Sequence, residues 1–284
     1  MRLSYDIVVV GAGHAGAEAA SAAARLGSRT LLITIDMEKI ASMSCNPAVG
    51  GVAKGQIVRE IDALGGQMAR ITDQSAIQFR MLNRSKGAAM WSPRAQCDKS
   101  EFSRLWRRTL ENTKNLYLWQ DSVTEILLDN SGEKVAVRGV KTRMGVEIEC
   151  RRVVLTAGTF LGGLMHCGTN SAEGGRAGDE ASHGITEQLV SLGFESGRMK
   201  TGTPARLDAR TINSDALEVQ EGDIEPSKFS YDADTQVVKH QLPCFMVYTS
   251  KAVHDILREG FDRSPLFNGT ISGIGPRYCT SIED

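Results

Sequence analysis

No early stretch of this chain is apolar for long enough to cross a bilayer; the run Tyr5–Val10 is a strand's length at most. The first residues hold no charged segment followed by a long apolar one, so no secretory signal is expected. Cysteine is sparse and scattered. Cys45, Cys97, Cys150, Cys167, Cys244 and Cys279 include no C-x-x-C pair, which speaks against the usual zinc and thioredoxin-like signatures. They are expected to be free thiols, most of them small buried apolar residues. A surplus of charge is also missing. A net charge of -1 over 284 residues argues against a wholly basic nucleic-acid binder, though a local basic surface stays open. There are no internal repeats and no low-complexity tracts. With 41% apolar residues a sizeable core is expected, in a soluble, cytoplasmic protein without membrane association.

The most organised stretch is Tyr5–Asp36. Ile7–Val10 is a short β-branched run of the kind that forms a strand buried on both faces. Gly11, Gly13 and Gly16 come directly after it in a G-x-G-x-x-G pattern, His14 to Arg25 reads as an alanine-rich helix ended by Gly27, and Thr30–Ile35 is a second buried strand. Such glycines serve a tight turn, close approach of backbone to a pyrophosphate, and close helix–strand packing. The helix start then offers free N–H groups and a positive dipole end. A dinucleotide site is expected, with NAD and FAD both open; glycines serving only a tight crossover would be the alternative.

Next comes the loop Ser42–Gly51, which carries Cys45, and a helix expected over about Val52–Leu64 with Val52, Ile57, Ile61 and Leu64 on one side. A thiol just ahead of a helix start is favoured as thiolate, so Cys45 reads as either functional or structural. Phe79–Arg108 is the most basic stretch. Arg80, Arg84, Lys86, Arg94, Lys99, Arg104, Arg107 and Arg108 face only Asp98 and Glu101, and Phe79, Trp91, Phe102 and Trp106 are interleaved. This pattern suits phosphate contacts with base stacking and equally suits a solvated amphipathic helix over Ser100–Leu110.

Strand-like alternation then takes over. Leu116–Trp119, Val123–Leu128, Val135–Lys141 and Val146–Cys150 are expected as a β-meander, succeeded by a buried strand Val153–Thr156 and a glycine turn at Gly158. The glycine-dense segment Gly174–Asp179 reads as a ligand-lining loop, and helices are expected near Gly184–Leu192 and Ala252–Glu259. The expected fold class is therefore α/β: a Rossmann-like, mostly parallel sheet with a β-meander over residues 1–202, a smaller inserted α/β domain over 203–272, and a return segment over 273–284.

The strings G-A-G-H-A-G, M-S-C-N-P-A-V-G-G, E-I-D-A-L-G-G, I-Q-F-R-M-L-N-R-S-K-G, T-A-G-T-F-L, G-G-R-A-G-D, K-T-G-T-P and G-P-R-Y-C-T-S-I-E-D together resemble the MnmG/GidA family of tRNA uridine 5-carboxymethylaminomethyl modification enzymes. The resemblance covers the whole chain and about half of a family member. It implies an FAD-dependent enzyme of the wobble uridine that takes a one-carbon unit from methylenetetrahydrofolate and uses NADH as reductant. It also implies tRNA and the GTPase MnmE as partners, with a homodimer joining MnmE in a heterotetramer.

Carried over by motif, Gly11, Ala12, Gly13, His14, Ala15 and Gly16 would hold the FAD pyrophosphate, and Val123 and Ser182 would contact FAD. Gly275, Pro276, Arg277, Tyr278, Thr280, Ser281, Ile282, Glu283 and Asp284 fall where the family binds NAD. Cys279 is expected as the nucleophile and Cys45 as its partner. Thr34 stands where many FAD proteins place a ribose-binding acid, with Asp36 two residues on as its expected substitute. Two alternatives share parts of this pattern. One is a folate-dependent tRNA uridine 5-methyltransferase, and the other a non-catalytic RNA- or partner-binding flavoprotein module that uses the basic stretch.

Overall fold

A computed structural model describes residues 3–273 and residue 275. These fall into two compact units. One joins 1–158 with 221–243; the other joins 159–220 with the chain from 244 onward.

The first unit is built on a six-stranded sheet. β1 (Ser4–Val10) leads through α1 (His14–Arg25) to β2 (Thr30–Thr34), with Val8 in register with Leu31 and Val10 with Ile33 in a parallel pair. All five residues of β2 are buried, as a strand covered on both faces requires. The alanines of α1 let it lie close to the sheet, with Gly16, Ala17, Ala20 and Ala24 facing inward, and Gly27 ends it at φ +99°.

The chain then leaves this sheet for β3 (Ala48–Gly50), α2 (Gly55–Ala63), α3 (Met68–Ser75), β4 (Ala76–Leu82) and β5 (Ser92–Cys97). The three strands make an antiparallel sheet in the order β3-β5-β4. α4 (Lys99–Glu111) carries the chain back to β6 (Leu116–Gln120), which adds parallel to β2. β7 (Val123–Asp129), β8 (Ala136–Thr142) and β9 (Glu147–Leu155) complete the large sheet, whose order is β6-β2-β1-β9-β8-β7.

Two expectations about these strands are corrected. β6 is no part of the meander, because the helical crossover α4 delivers it parallel to β2. The stretches expected as separate strands before and after Arg151-Arg152 are one nine-residue strand, β9. No turn residue interrupts it. Its first half pairs antiparallel with β8, and its length runs parallel to β1 from Ser4↔Glu149 to Val10↔Leu155.

The core between sheet and helices gathers Val9, Leu32, Ile40, Phe79, Phe102, Trp106 and Leu110. Each such large side chain contributes about 1.5–3 kcal/mol on burial. α2 turns a different face inward from the one its apolar spacing suggests. It begins at Gly55 and buries Gly55 and Val58, while Ile57 is 53% and Leu64 90% exposed. The reason is close backbone contact: a Cβ on Gly55 would lie 2.3 Å from the Pro93 carbonyl oxygen.

Among the described residues the second unit holds two small antiparallel ribbons and two short α-helices. β10 (Leu164–Cys167) pairs with β11 (Asn170–Glu173), and α5 (Ile185–Ser191) comes after them. β12 (Glu218–Gln220) pairs with β13 (Cys244–Met246), and α6 (Lys251–Arg258) is capped by the Ser250 hydroxyl, which accepts from the Val253 N–H. Among the described residues no helix is long and apolar enough to cross a membrane.

Candidate functional site

The three glycines after β1 do three different things. Gly11 sits at φ +95°, and a Cβ there would lie 2.6 Å from the Thr156 carbonyl oxygen at the end of β9. Gly16, on the first turn of α1, is pressed on the turn itself: its Cβ would be 1.8 Å from the Gly11 carbonyl oxygen. The Thr156 hydroxyl fastens this junction by donating at 2.8 Å to the Val10 carbonyl and lying 2.9 Å from that of Gly11. Gly13 differs, because a Cβ on it would meet nothing within 4 Å. It is the N-cap of α1, in extended backbone, with no side chain capping the helix and no acid in its first turn.

The start of α1 thus presents its orphan N–H groups to open space beside a residue lacking a side chain, and this suits a pyrophosphate. Its place is also the expected one: β1 lies between β2, reached through α1, and β9 on the other side, so the sheet switches direction here.

His14 tethers the cradle to the loop beyond β2. Its Nε2 lies 3.0 Å from the Ala41 carbonyl, its ring stands edge-on to Phe102 at 5.7 Å, and burial lowers its pKa below the usual histidine range. It is therefore neutral at pH 7. The Ala41 N–H in turn donates to the Ala12 carbonyl at 2.8 Å. Thr34, at the end of β2, is buried and points its hydroxyl at the Asp36 carbonyl, 3.4 Å away. The Asp36 carboxylate caps the short turn Met37–Lys39, accepting from the Glu38 N–H at 2.8 Å and pairing with Lys39 at 3.4 Å. Val123 starts β7 with its side chain buried, which leaves only its backbone for any ligand.

Four residues after Ala41 comes Cys45, half-buried on the loop that enters β3. At about 3.3–3.6 Å per residue it lies within ~14 Å of the residue bonded to Ala12. The strand β3 separates it from α2, so nearness to a helix start, the ground for expecting a thiolate, does not hold. Two other described cysteines are inert: burial pushes the Cys97 thiol up to about 12 and that of Cys150 to about 11.

The sheet beside Cys45 is held by a segment far along the chain, Glu221–Pro243. It covers the outer edge of β4 almost as a fourth strand would. The Asp223 N–H donates to the Phe79 carbonyl and the Leu242 N–H to that of Ile77, at 2.9 and 2.8 Å. The Phe79 N–H donates to Gln241 and the Met81 N–H to the Asp223 carboxylate. Phe229 inserts under the sheet, edge-on to Phe79 at 6.0 Å. Carboxylates lock it there. Asp73 of α3 accepts from the N–H groups of Phe229 and Ser230 at 2.7 and 2.9 Å, and Asp62 of α2 from the Ser230 hydroxyl and Tyr231 N–H, both at 2.7 Å. Glu18 plays the same part between α1 and α3, accepting from the N–H groups of Gln67 and Met68. Burial raises the carboxyl of both Asp73 and Glu18 above the usual range. Asp62 lies in the string E-I-D-A-L-G-G, which assigned it no role, and Asp73 and Glu18 belong to no motif. The one sequence signal was Glu18 itself, an acid in an otherwise alanine-rich helix.

The basic stretch divides. Phe79, Phe102 and Trp106 are core residues, so stacking on bases falls away for them; Trp91 alone of the four is exposed, at 46%. On α4, Arg104 pairs with Glu101 at 2.5 Å, and Arg107 pairs with Glu111 at 2.8 Å and with Glu38. Arg84 pairs with Asp223 at 2.8 Å. Arg104 and Arg107 belong to the solvated, ion-paired face of an amphipathic helix.

Ser182 lies in the second unit, where its N–H donates to the Phe160 carbonyl and its carbonyl accepts from the Gly162 N–H, both at 2.8 Å. In the glycine-dense loop there, Arg176 pairs with Asp179 at 2.6 Å and stands over the Phe160 ring. Gly275 is described, half-buried; Cys279 and the rest of Pro276–Asp284 lie outside the described residues. Among the described residues no cluster of three His, Cys, Asp or Glu side chains is placed to hold a metal ion.

Known proteins resemble this chain along its length. The family model "Glucose inhibited division protein A" matches residues 6–284. The tRNA uridine 5-carboxymethylaminomethyl modification enzymes MnmG of Flavobacterium johnsoniae and Porphyromonas gingivalis are 58% and 59% identical to it, over 99% and 100% of this chain. The chain spans 44–45% of the length of those relatives. Among solved structures, Aquifex aeolicus GidA superposes with a TM-score of 0.90 at 47% identity, over 99% of this chain and 47% of that one. The chain belongs to the glucose inhibited division protein A family.

Proposed function

We propose that this chain forms the flavin-holding part of an enzyme that builds the carboxymethylaminomethyl group on carbon 5 of the tRNA wobble uridine. The observation that carries the reading is the cradle: an open Gly13 at an uncapped helix start, between two glycines that backbone contacts make obligatory. Residues Gly11–Gly16 would hold the pyrophosphate of FAD, with the backbone of Val123 and the Ser182 segment as further contacts. FAD, when bound, supplies the redox chemistry that moves a one-carbon unit from methylenetetrahydrofolate, with NADH as reductant at the Gly275–Asp284 segment. Asp36, whose carboxylate already caps Met37–Lys39, would have to share that role to hold the adenosine ribose.

The chain's own part is to make the base reactive. Carbon 5 of uracil is a weak nucleophile until a thiolate adds at carbon 6 and creates an enolate; the same carbon–sulfur bond breaks once the proton on carbon 5 has been removed. We assign the addition to Cys279 and the proton transfer to Cys45, whose loop leads directly from the cradle to β3. The partners in this reading are tRNA and the GTPase MnmE, joined to a homodimer in the cytoplasm. The test is the intact gene product, purified and incubated with tRNA, MnmE, methylenetetrahydrofolate and glycine. A yellow protein that forms the carboxymethylaminomethyl nucleoside by mass spectrometry, with Cys45→Ser and Cys279→Ser inactive but still yellow, is expected. A colourless protein, or a plain methyl on uridine, would overturn the reading.

A further inference from the structure

The antiparallel sheet β3-β5-β4 has one face in the core, formed by Val49, Ala95 and Phe79, which lie in register across it. Strand alternation puts Gly50, Arg94 and Arg80 together on the opposite face, in the next row. Arg94 and Arg80 are directly opposite each other across β5 and β4, both half-buried. Two like charges so placed destabilise a strand pair. Nothing in the sheet offsets them: β3, β4 and β5 contain no acidic residue, and among the described residues neither arginine forms an ion pair. This contrasts with Arg104 and Arg107 of α4 and with Arg84, whose guanidinium groups each meet a carboxylate.

The pair is uncrowded on the Gly51 side, where a Cβ would touch only the Arg94 side chain, at 3.9 Å; at Gly50, its neighbour in the same row, a Cβ would meet the Pro93 carbonyl oxygen at 2.2 Å and the Phe229 ring at 2.6 Å. β3 and β4 both end toward the Ser92 end of β5; Lys54, three residues past Gly51, and Lys86, four past Leu82, follow them at that one end of the sheet and likewise have no acid partner among the described residues. Cys45 enters the same sheet three residues before Ala48.

We infer that Arg80 and Arg94 form a paired-guanidinium seat for a backbone phosphate of the RNA substrate, beside the loop that carries Cys45. Two planar guanidinium forks can grip one phosphate group with several N–H donors. A ligand oxyanion also supplies the charge that the sheet lacks. Several cations gathered toward one end of a sheet suit a sugar–phosphate strand better than they suit a single enclosed anion. The assignment rests on the proposed tRNA-modifying role.

The test uses the full-length protein with bound flavin and measures tRNA affinity against salt concentration for Arg80→Gln, Arg94→Gln and, as a comparator, Arg104→Gln. Each neutralised phosphate contact steepens the dependence of log K on log salt by about 0.7–0.9. Because the two share one phosphate, Arg80→Gln and Arg94→Gln are each expected to flatten the slope measurably, by up to about that amount, and weaken binding at low salt, with flavin content unchanged. Arg104→Gln should leave the slope as it was. Unaltered slopes in both sheet variants overturn the proposal. So does an unaltered slope with a raised KM for glycine or for the folate, which would transfer the seat to the carboxylate of a small substrate. Loss of the soluble folded variant is controlled by Arg80→Lys and Arg94→Lys, which keep the charge and should keep the slope; a flattened slope there counts against phosphate binding. A wild-type protein that binds no tRNA at all defeats the proposed function rather than this seat.

Discussion

Around Gly11–Gly16 the first unit is held by backbone pressed on backbone, with β1, α1 and β9 meeting through the Thr156 hydroxyl. Around Gly50 and Phe79 it is held by side-chain carboxylates and amides that reach a segment some 140–170 residues away in sequence. The two regions are joined by the Ala12–Ala41 and His14–Ala41 contacts. The difference teaches where each is vulnerable. The cradle tolerates no added atom at two of its glycines and any small atom at the third. The sheet beside Cys45 is as tight at Gly50, where a Cβ would lie 2.2 Å from the Pro93 carbonyl oxygen, but it depends in addition on its side-chain acceptors.

Substitutions in the cradle should have the largest effects and should separate packing from ligand binding. Gly16→Ala drives a methyl into the Gly11 carbonyl, and is expected to cost at least the ~1–3 kcal/mol typical of overpacking, read as a lower unfolding midpoint with loss of flavin. Gly13→Ala meets open space at an ordinary φ of -70°. It should cost less than about 1 kcal/mol of stability, within the range of N-cap changes, yet still displace the flavin. Equal destabilisation of the two variants would show that Gly13 is a packing residue like its neighbours.

On the other side of the comparison, Asp73→Ala removes the acceptor for two backbone N–H groups that hold Phe229 in place. Each orphaned donor costs roughly 1–3 kcal/mol. Limited proteolysis should then cut within Glu221–Pro243 while the Gly11–Gly16 region stays protected. Cleavage appearing first near α1 would mean that the segment does not depend on its carboxylate locks.

The same contrast explains how far each region could be foretold from sequence. β1, α1 and β2 were legible because a strand, a glycine turn and an alanine helix are contiguous and each declares its own period; α1 occupies His14–Arg25 as read. The inward face of α2 was misread because its burial is set by a glycine against Pro93 and not by its large apolar residues. The role of Glu221–Pro243 left no periodic signal, since it binds through single residues such as Asp223, Phe229 and Gln241. Cys45 was legible by motif alone. The aromatic residues of the basic stretch were ambiguous because alternation with arginine looks the same on a stacking surface as on a half-buried helix.

The thiols offer a smaller effect. With Cys97 pushed up to about 12 and Cys150 to about 11, roughly one molecule in 10³–10⁴ carries either thiolate at pH 8. An alkylating reagent should label half-buried Cys45 and Cys244 and exposed Cys167 in the native protein, and Cys97 and Cys150 only after denaturation. Rapid native labelling of Cys97 would show that the β4–β5 sheet opens readily.

The smallest expected effect is a slope in stability against pH, and its sign distinguishes Glu18 from the surface acids. Burial, opposed by the Met68 and Gln67 N–H groups, holds the Glu18 carboxyl above the ordinary range. A carboxyl raised on folding favours the folded state in its protonated form. Its contribution is complete below the ordinary carboxylate value and is lost as pH rises through the elevated one. Exposed acids such as Glu101, lowered chiefly by its hydrogen bond from Arg104, act in the opposite sense and at lower pH. Glu18→Gln keeps an acceptor for the α3 N–H groups and removes the titration. Between the ordinary carboxylate range and neutrality, its unfolding free energy should fall less with rising pH than that of the wild type, the difference in slope being bounded by about 1.4 kcal/mol per pH unit for one proton. An identical slope would mean that water reaches Glu18 and that the contact between α1 and α3 is wetter than its geometry implies.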